Sequence, residues 1–151
     1  AGNGAGLFGA PSDSAIQGTG TAIVLEDFNG DTFLDIAVTS GDMDIVTILL
    51  GNGIGGFGGS VPFATGSSPG RLAVDDITAD GELDLVVINT GDDTVSVLAG
   101  NGLGGFSTVA TIATGSNPSD LALGDLNGDD AIDIVVSNSG DDNVSLLISA
   151  P

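Results

Sequence analysis

Three nine-residue stretches gather the oxygen-bearing side chains of this 151-residue sequence: Asp27 to Asp35, Asp76 to Asp84 and Asp125 to Asp133. Positions one, three, five and nine hold Asp27, Asn29, Asp31 and Asp35 in the first, and Asp76, Thr78, Asp80 and Asp84 in the second. The third repeats the pattern with Asp125, Asn127, Asp129 and Asp133. Side chains at two-residue spacing, curled by a glycine at position four or six, can converge on one point while the residues between them face away. Four oxygens around a point suit a hard cation. Calcium takes six to eight oxygens at about 2.3–2.6 Å, so the position-seven carbonyl (Phe33, Glu82 or Ala131) and water would complete its shell, whereas magnesium keeps its own waters. One calcium per stretch, three in all, would bring the formal charge from −20 to −14.

The alternative for these stretches is a metal-free turn in which Asp and Asn bond their own backbone. Against it stands the repulsion among close carboxylates that lack a counter-charge. An EF-hand is excluded, because that motif needs a bidentate Glu at position twelve and Val87 stands there in the second stretch. Positions one, five and nine account for nine of the 21 acidic residues, and six more fall in a second set of turns. Such clustering reconciles a net charge of −20 with 41% hydrophobic residues and a mean hydropathy of +0.40, a pairing that disorder does not give.

The remaining chemistry is sparse. Arg71 is the single basic residue, which removes the cationic footprint that a nucleic-acid phosphate backbone requires. The longest apolar run, around Ile45 to Leu50, is too short to span a bilayer. Without His, Cys or Lys the usual bases and nucleophiles are missing, and no serine has a histidine to activate it, so an enzyme is not expected. Asp42 with Asp44, Asp92-Asp93 and Asp141-Asp142 imitate a glycosidase pair, but their recurrence beside Gly41, Gly91 and Gly140 reads as hairpin-turn chemistry. Gly51-Asn52-Gly53-Ile54-Gly55-Gly56 fits G-x-G-x-x-G on paper. No helix follows to hold a phosphate, so these glycines read as tight loops.

The elements that must position the acidic stretches recur with them. Gly2-Asn3-Gly4, Gly51-Asn52-Gly53 and Gly100-Asn101-Gly102 are spaced by 49 residues, as are Phe8, Phe57 and Phe106. The repeats run 2–50, 51–99 and 100–148 within a single domain. Each offers four extended segments between turn clusters: Leu7 to Ile16, Thr21 to Phe28, Leu34 to Thr39 and Ile45 to Leu50 in the first. In the third they are Phe106 to Thr114, Leu121 to Leu126, Ile132 to Ser137 and Val144 to Ile148. Runs such as Leu85 to Ile88 are apolar on both faces, so the sheets must be covered on both sides. Four strands per repeat of this length form an all-β propeller blade, with a β-solenoid as the competing repeat architecture.

The Gly-Asn-Gly opening, the following Phe and the Asp-x-Asn-Gly-Asp-x-x-x-Asp stretch together resemble the FG-GAP and VCBS-type repeats, the calcium-binding blades of integrin α-subunits and many secreted microbial proteins. The resemblance covers all three repeats. It implies a β-propeller, calcium held by the side chains named above and an extracellular or cell-surface location. The second stretch departs from the pattern, since Thr78 replaces an amide or carboxylate and Ala79 replaces glycine, which implies that Asp76, Asp80 and Asp84 form the weakest site.

Three blades cannot close a ring, because propellers need at least four. In the register the resemblance implies, Leu7 to Ile16 is an outer strand without a blade and the last blade lacks its outer strand. One chain's N-terminal strand could then complete another chain's last blade, giving a six-bladed ring of two chains or a head-to-tail filament. A fragment of a longer propeller is the third possibility, and a first residue other than Met fits a processed chain or a fragment equally. The expectation is therefore a secreted, self-assembling scaffold. The rival is a lectin or adhesion module with a glycan or protein ligand, disfavoured for sugars by the absence of Trp and Tyr.

Overall fold

The computed structural model describes residues 10–149, whose regular elements are eleven strands. The first sheet is β1 (Gly20–Glu26), β2 (Asp35–Ser40), β3 (Ile45–Gly51) and β4 (Phe57–Ala64). The second is β5 (Pro69–Asp75), β6 (Asp84–Asn89), β7 (Thr94–Gly100) and β8 (Phe106–Ala113). The third has three strands, β9 (Pro118–Gly124), β10 (Asp133–Asn138) and β11 (Asn143–Leu147). In every sheet each strand pairs antiparallel with its sequence neighbour, which is the meander of a propeller blade. Blades thus straddle the repeat boundaries: β4 and β8 open repeats two and three but complete the blades of repeats one and two.

Register decides which side chains cover which blade. In β2, Ala37 and Thr39 share one face with their cross-strand partners Val24, Ala22, Ile48 and Val46, while Ile36 and Val38 share the other with Leu25, Ile23, Leu49 and Thr47. The first face, here called forward, meets the next blade, and the second, the rear face, meets the preceding one. The forward face of blade one buries Ala37, Val46 and Ile48 against Leu72, Leu85, Val87 and Leu98 on the rear of blade two. Blade two then buries Val86, Ile88, Val95 and Val97 against Ile134 and Val136 of blade three. This double duty is why β6 is buried from Asp84 to Asn89 and is built of branched aliphatics.

The inner strands β1, β5 and β9 lie against one another in turn, whereas the outer strands β4 and β8 meet only lightly, so the blades fan out as wedges. Phe106 closes the widening gap, edge-on to Phe28 at 5.5 Å and to Phe63 at 5.7 Å. Pro62 is tolerated in β4 because an outer strand has a free edge.

The segment from Leu7 to Ile16 differs from expectation. Leu7 to Gly9 lie outside the described residues, and residues 10–16 form no strand. Ser12, Ser14 and Ile16 instead flank a hollow of about 250 Å³ on the rear of blade one, together with Ile23, Ile36, Val38, Leu49 and Phe57. The physical reason is that this segment's outer-strand position belongs to a preceding blade, and within the described chain no such blade offers it an edge.

Candidate metal centre

All three acidic stretches occupy the corner between the innermost strand of a blade and the next: β1–β2, β5–β6 and β9–β10. Their curl comes from two left-handed residues per loop. Position four has positive φ at Gly30 (73°), Ala79 (57°) and Gly128 (82°), and position six at Thr32 (73°), Gly81 (91°) and Asp130 (66°). Each loop therefore places one non-glycine residue where L side chains are strained.

Within the first loop, the Asp27 carboxylate accepts from the backbone N–H groups of Asn29, Asp31 and Thr32, at 3.3, 3.2 and 2.7 Å. Asn29 Oδ1 accepts from Asp31 N, its Nδ2 donates to Asp31 Oδ2 at 2.9 Å, and Asp31 Oδ1 accepts from Phe33 N. The third loop repeats this for Asp125, Asn127, Asp129 and the Ala131 N–H. In the second, Asp76 accepts from Asp80 and Gly81, and Asp80 accepts from Glu82. Thr78 contributes its N–H to Asp84 and supplies none of the side-chain bonds that Asn29 and Asn127 make.

Position nine stands apart from this network. Asp35, Asp84 and Asp133 are fully buried. Each uses one oxygen to hold its own loop, from Phe28 N, Thr78 N and Leu126 N at 2.8–2.9 Å. The other oxygen accepts from a backbone N–H at or just past the end of the third strand, that of Gly51, Gly100 or Ser149, at 2.7–2.9 Å. These aspartates staple the acidic loop to the end of the third strand. The approach is close enough that a Cβ on Gly51 or Gly100 would collide with the carbonyl of Leu34 or Leu83, which accounts for the first glycine of Gly-Asn-Gly.

Electrostatically the loops are anionic. Burial pushes the Asp27 carboxyl up, but the donors from Thr32, Asn29, Asp31 and Gly30 together hold it below its ordinary 3.8. At Asp125 the Gly128 N–H is the leading cause of the same depression, opposed by desolvation and reinforced by three more backbone donors. Asp133 is lowered chiefly by the Leu126 N–H, with Ser149 adding to it against desolvation. Among the described residues Arg71 is the single cation, and at 3.9 Å from Asp120 on the flank of β9 it pairs weakly and away from the loops.

No group of three His, Cys, Asp or Glu forms a ready cage among the described residues, and the buried position-nine carboxylate is engaged by backbone donors. The donor set at positions one, three and five nevertheless fits a hard cation in its chemistry. It is oxygen-rich, clustered within hydrogen-bond distance and unneutralised by any basic side chain.

The second acidic set lies at the opposite ends of the blades, in the turns β2–β3, β6–β7 and β10–β11, where Asp44, Asp93 and Asp142 have φ of 53–56°. The hairpin-turn reading is incomplete there. Asp44 accepts from Ser68 N at 2.8 Å and Asp93 from Asn117 N at 2.7 Å, each reaching the linker into the next blade. Asp92 and Asp141 clamp the same linkers from the other side, through Ser67 N and Ser116 N. These carboxylates latch blade to blade. The signal for them lay in the constant offsets of 24 and 25 residues between each Asp and the linkers Gly66-Ser67-Ser68-Pro69 and Gly115-Ser116-Asn117-Pro118.

The sequence profile of the FG-GAP-like repeat matches residues 27–87 and again residues 76–136. Both matches begin at position one of an acidic loop and end in the second strand of the following blade, so they share the 49-residue register. Together they cover well over half of the chain. No curated protein matches it.

Proposed function

Since the chain belongs to the FG-GAP-like repeat family, we propose that it is a non-enzymatic, extracellular calcium-binding scaffold whose molecules self-assemble by inter-chain strand addition. The observation that carries the reading is the threefold recurrence of one oxygen-lined loop at the same corner of three stacked blades. Asp27, Asn29 and Asp31, with their counterparts Asp76, Thr78, Asp80, Asp125, Asn127 and Asp129, would hold about one ion per loop. The carbonyls of Phe33, Glu82 and Ala131 would complete the shell. Bound calcium would neutralise the loops and stabilise the fold by linkage.

Strand addition is supported by the outer edge of β11, which pairs with no strand among the described residues. Its equivalents β3 and β7 are paired on that side with β4 and β8, and the segment from Leu7 to Ile16 stands one 49-residue period before β4 in the sequence. Main-chain hydrogen bonds along the edge would supply the affinity. An adhesion module is the second reading, favoured by Ile54 and Leu103, equivalent loop-tip residues that are 90% and 75% exposed.

Two measurements test the proposal. Melting of calcium-loaded protein should fall in excess EGTA, and an unchanged melt rejects the metal. Light scattering of the intact chain and of one lacking Ala1 to Ile16 should show assembly in the first alone. Equal assembly by both rejects strand addition, and specific capture on a glycan array would favour adhesion.

A further inference from the structure

We infer that the rear face of blade one is the docking surface for the forward face of blade three of a second copy of this chain. The inference rests on the self-assembly reading and specifies its interface. Each blade's rear face is built from equivalent positions: Ile36, Val38 and Leu49 in blade one, Leu85, Val87 and Leu98 in blade two, Ile134, Val136 and Leu147 in blade three. In blades two and three that face is covered by the forward face of the blade before. Blade three carries the next forward face, where Val135 is flanked by Ala122 and Leu146 and Ser137 by Asp120 and Val144, and Val144 and Leu146 are each 58% exposed. Blade one carries the matching rear face, where Ile23 and Leu25 are 61% and 50% exposed while Val38 and Leu49 are buried. In register the two faces are successive members of an interface the chain already forms twice.

The same register names the polar contacts. Gly104 N donates to Phe28 O across the first interface at 3.0 Å, which places Gly55 N of one copy against Leu126 O of the other. The latch from Asp44 to Ser68 and from Asp93 to Asn117 continues as Asp142 to Thr19 N of the second copy. Within one chain Thr19 N is occupied by Asp42 Oδ1, at 2.7 Å.

Ser12, Ser14 and Ile16 lie over the rear face of blade one, so they must leave before a copy can stack there. These residues belong to the segment that strand addition delivers to the β11 edge. A single displacement thus uncovers the face and fills the edge, coupling the two contacts.

The test uses full-length chains with calcium. Leu146→Asp and Val144→Asp place a charge in the proposed interface at exposed positions, and should raise the half-assembly concentration by about 30-fold or more while circular dichroism and melting of the monomer stay unchanged. Because the chain has no cysteine, Leu126→Cys and Phe57→Cys chains can also be mixed with a short bis-maleimide. The contact of Phe28 with Phe106 predicts links between the two kinds of chain and none within either kind. Undiminished assembly by the Asp variants, links within one kind, or a strictly monomeric parent overturns the inference. If deleting Ala1 to Ile16 leaves assembly and mixed links intact, strand addition fails while the face-to-face contact stands.

Discussion

Replacing Asp84 by alanine tests whether the position-nine aspartates are staples in their own right. The change removes both acceptors of a fully buried carboxylate, leaving Gly100 N–H (2.9 Å) and Thr78 N–H (2.8 Å) without partners. Hydrogen bonds to charged groups contribute about 1.5–3 kcal/mol each, so the gross loss is about 3–6 kcal/mol. Relief of the cost of burying the carboxylate offsets part of that, which points to the lower half of the range, about 3–4.5 kcal/mol. For a chain of this size the melting temperature should fall by roughly 6–18 °C. Asp84→Asn keeps one acceptor oxygen but turns an NH2 toward a backbone donor, so it should lose about half as much as the alanine variant. Both variants and the parent are compared by urea and thermal unfolding in excess EGTA, where any contribution from a metal is absent. A loss below about 1 kcal/mol in EGTA, or one seen only with calcium present, would refute the staple and leave Asp84 as a ligand alone.

Three further outcomes follow from the loops. Thr32 is β-branched at a φ of 73°, so Thr32→Gly should raise stability by about 1 kcal/mol in urea unfolding, and a destabilised variant would mean the loop needs the side chain. Thr78→Asn restores the side-chain bonding of the other two loops, and calorimetric titration with calcium should show the second site tighten toward them, an unchanged isotherm counting against Thr78 as the weak point. Asp27, Asp42, Asp125 and Asp133 all lie below their ordinary 3.8, Asp42 chiefly through the Thr19 N–H. The unfolded chain therefore takes up protons first: the stabilisation is present above that value and is lost as pH falls through the lower folded values. Melting of calcium-stripped protein in calcium-free buffer should drop below pH 3.8, whereas a rise there would mean relief of charge repulsion outweighs these bonds.

Much of this arrangement was legible in the residues because it depends on local chemistry repeated at a fixed period. Turn residues flanking short apolar runs placed β2, β3, β10 and β11 within about a residue or two of their observed ends. The doubly apolar run at Leu85 to Ile88 announced a sheet covered on both sides. The acidic loops were visible as a pattern, but glycine marks only one of their two left-handed positions, so the strained Thr32, Ala79 and Asp130 were hidden. The position-nine staples and the latches of Asp44 and Asp93 join residues 16 and 24 apart. Such bonds depend on how sheets stack, so the constant offsets recur in the sequence without naming the partners. The strand expected at Leu7 to Ile16 is not formed over residues 10–16, where an outer strand needs an edge from another blade, and Leu7 to Gly9 lie outside the described residues.

The offset between the 49-residue repeat and the blade has a bearing on how such a chain can change length. A repeat carries the outermost strand of one wedge and the three inner strands of the next, so every junction is a shared seam with no terminus at a wedge boundary. Duplicating or excising a whole repeat therefore splices one seam onto an equivalent seam, and the array grows or shrinks without exposing a new kind of surface. Residues 51–99 by themselves would hold a strand severed from its sheet and a sheet missing its rim, so the smallest unit able to stand alone is longer than the unit that is copied.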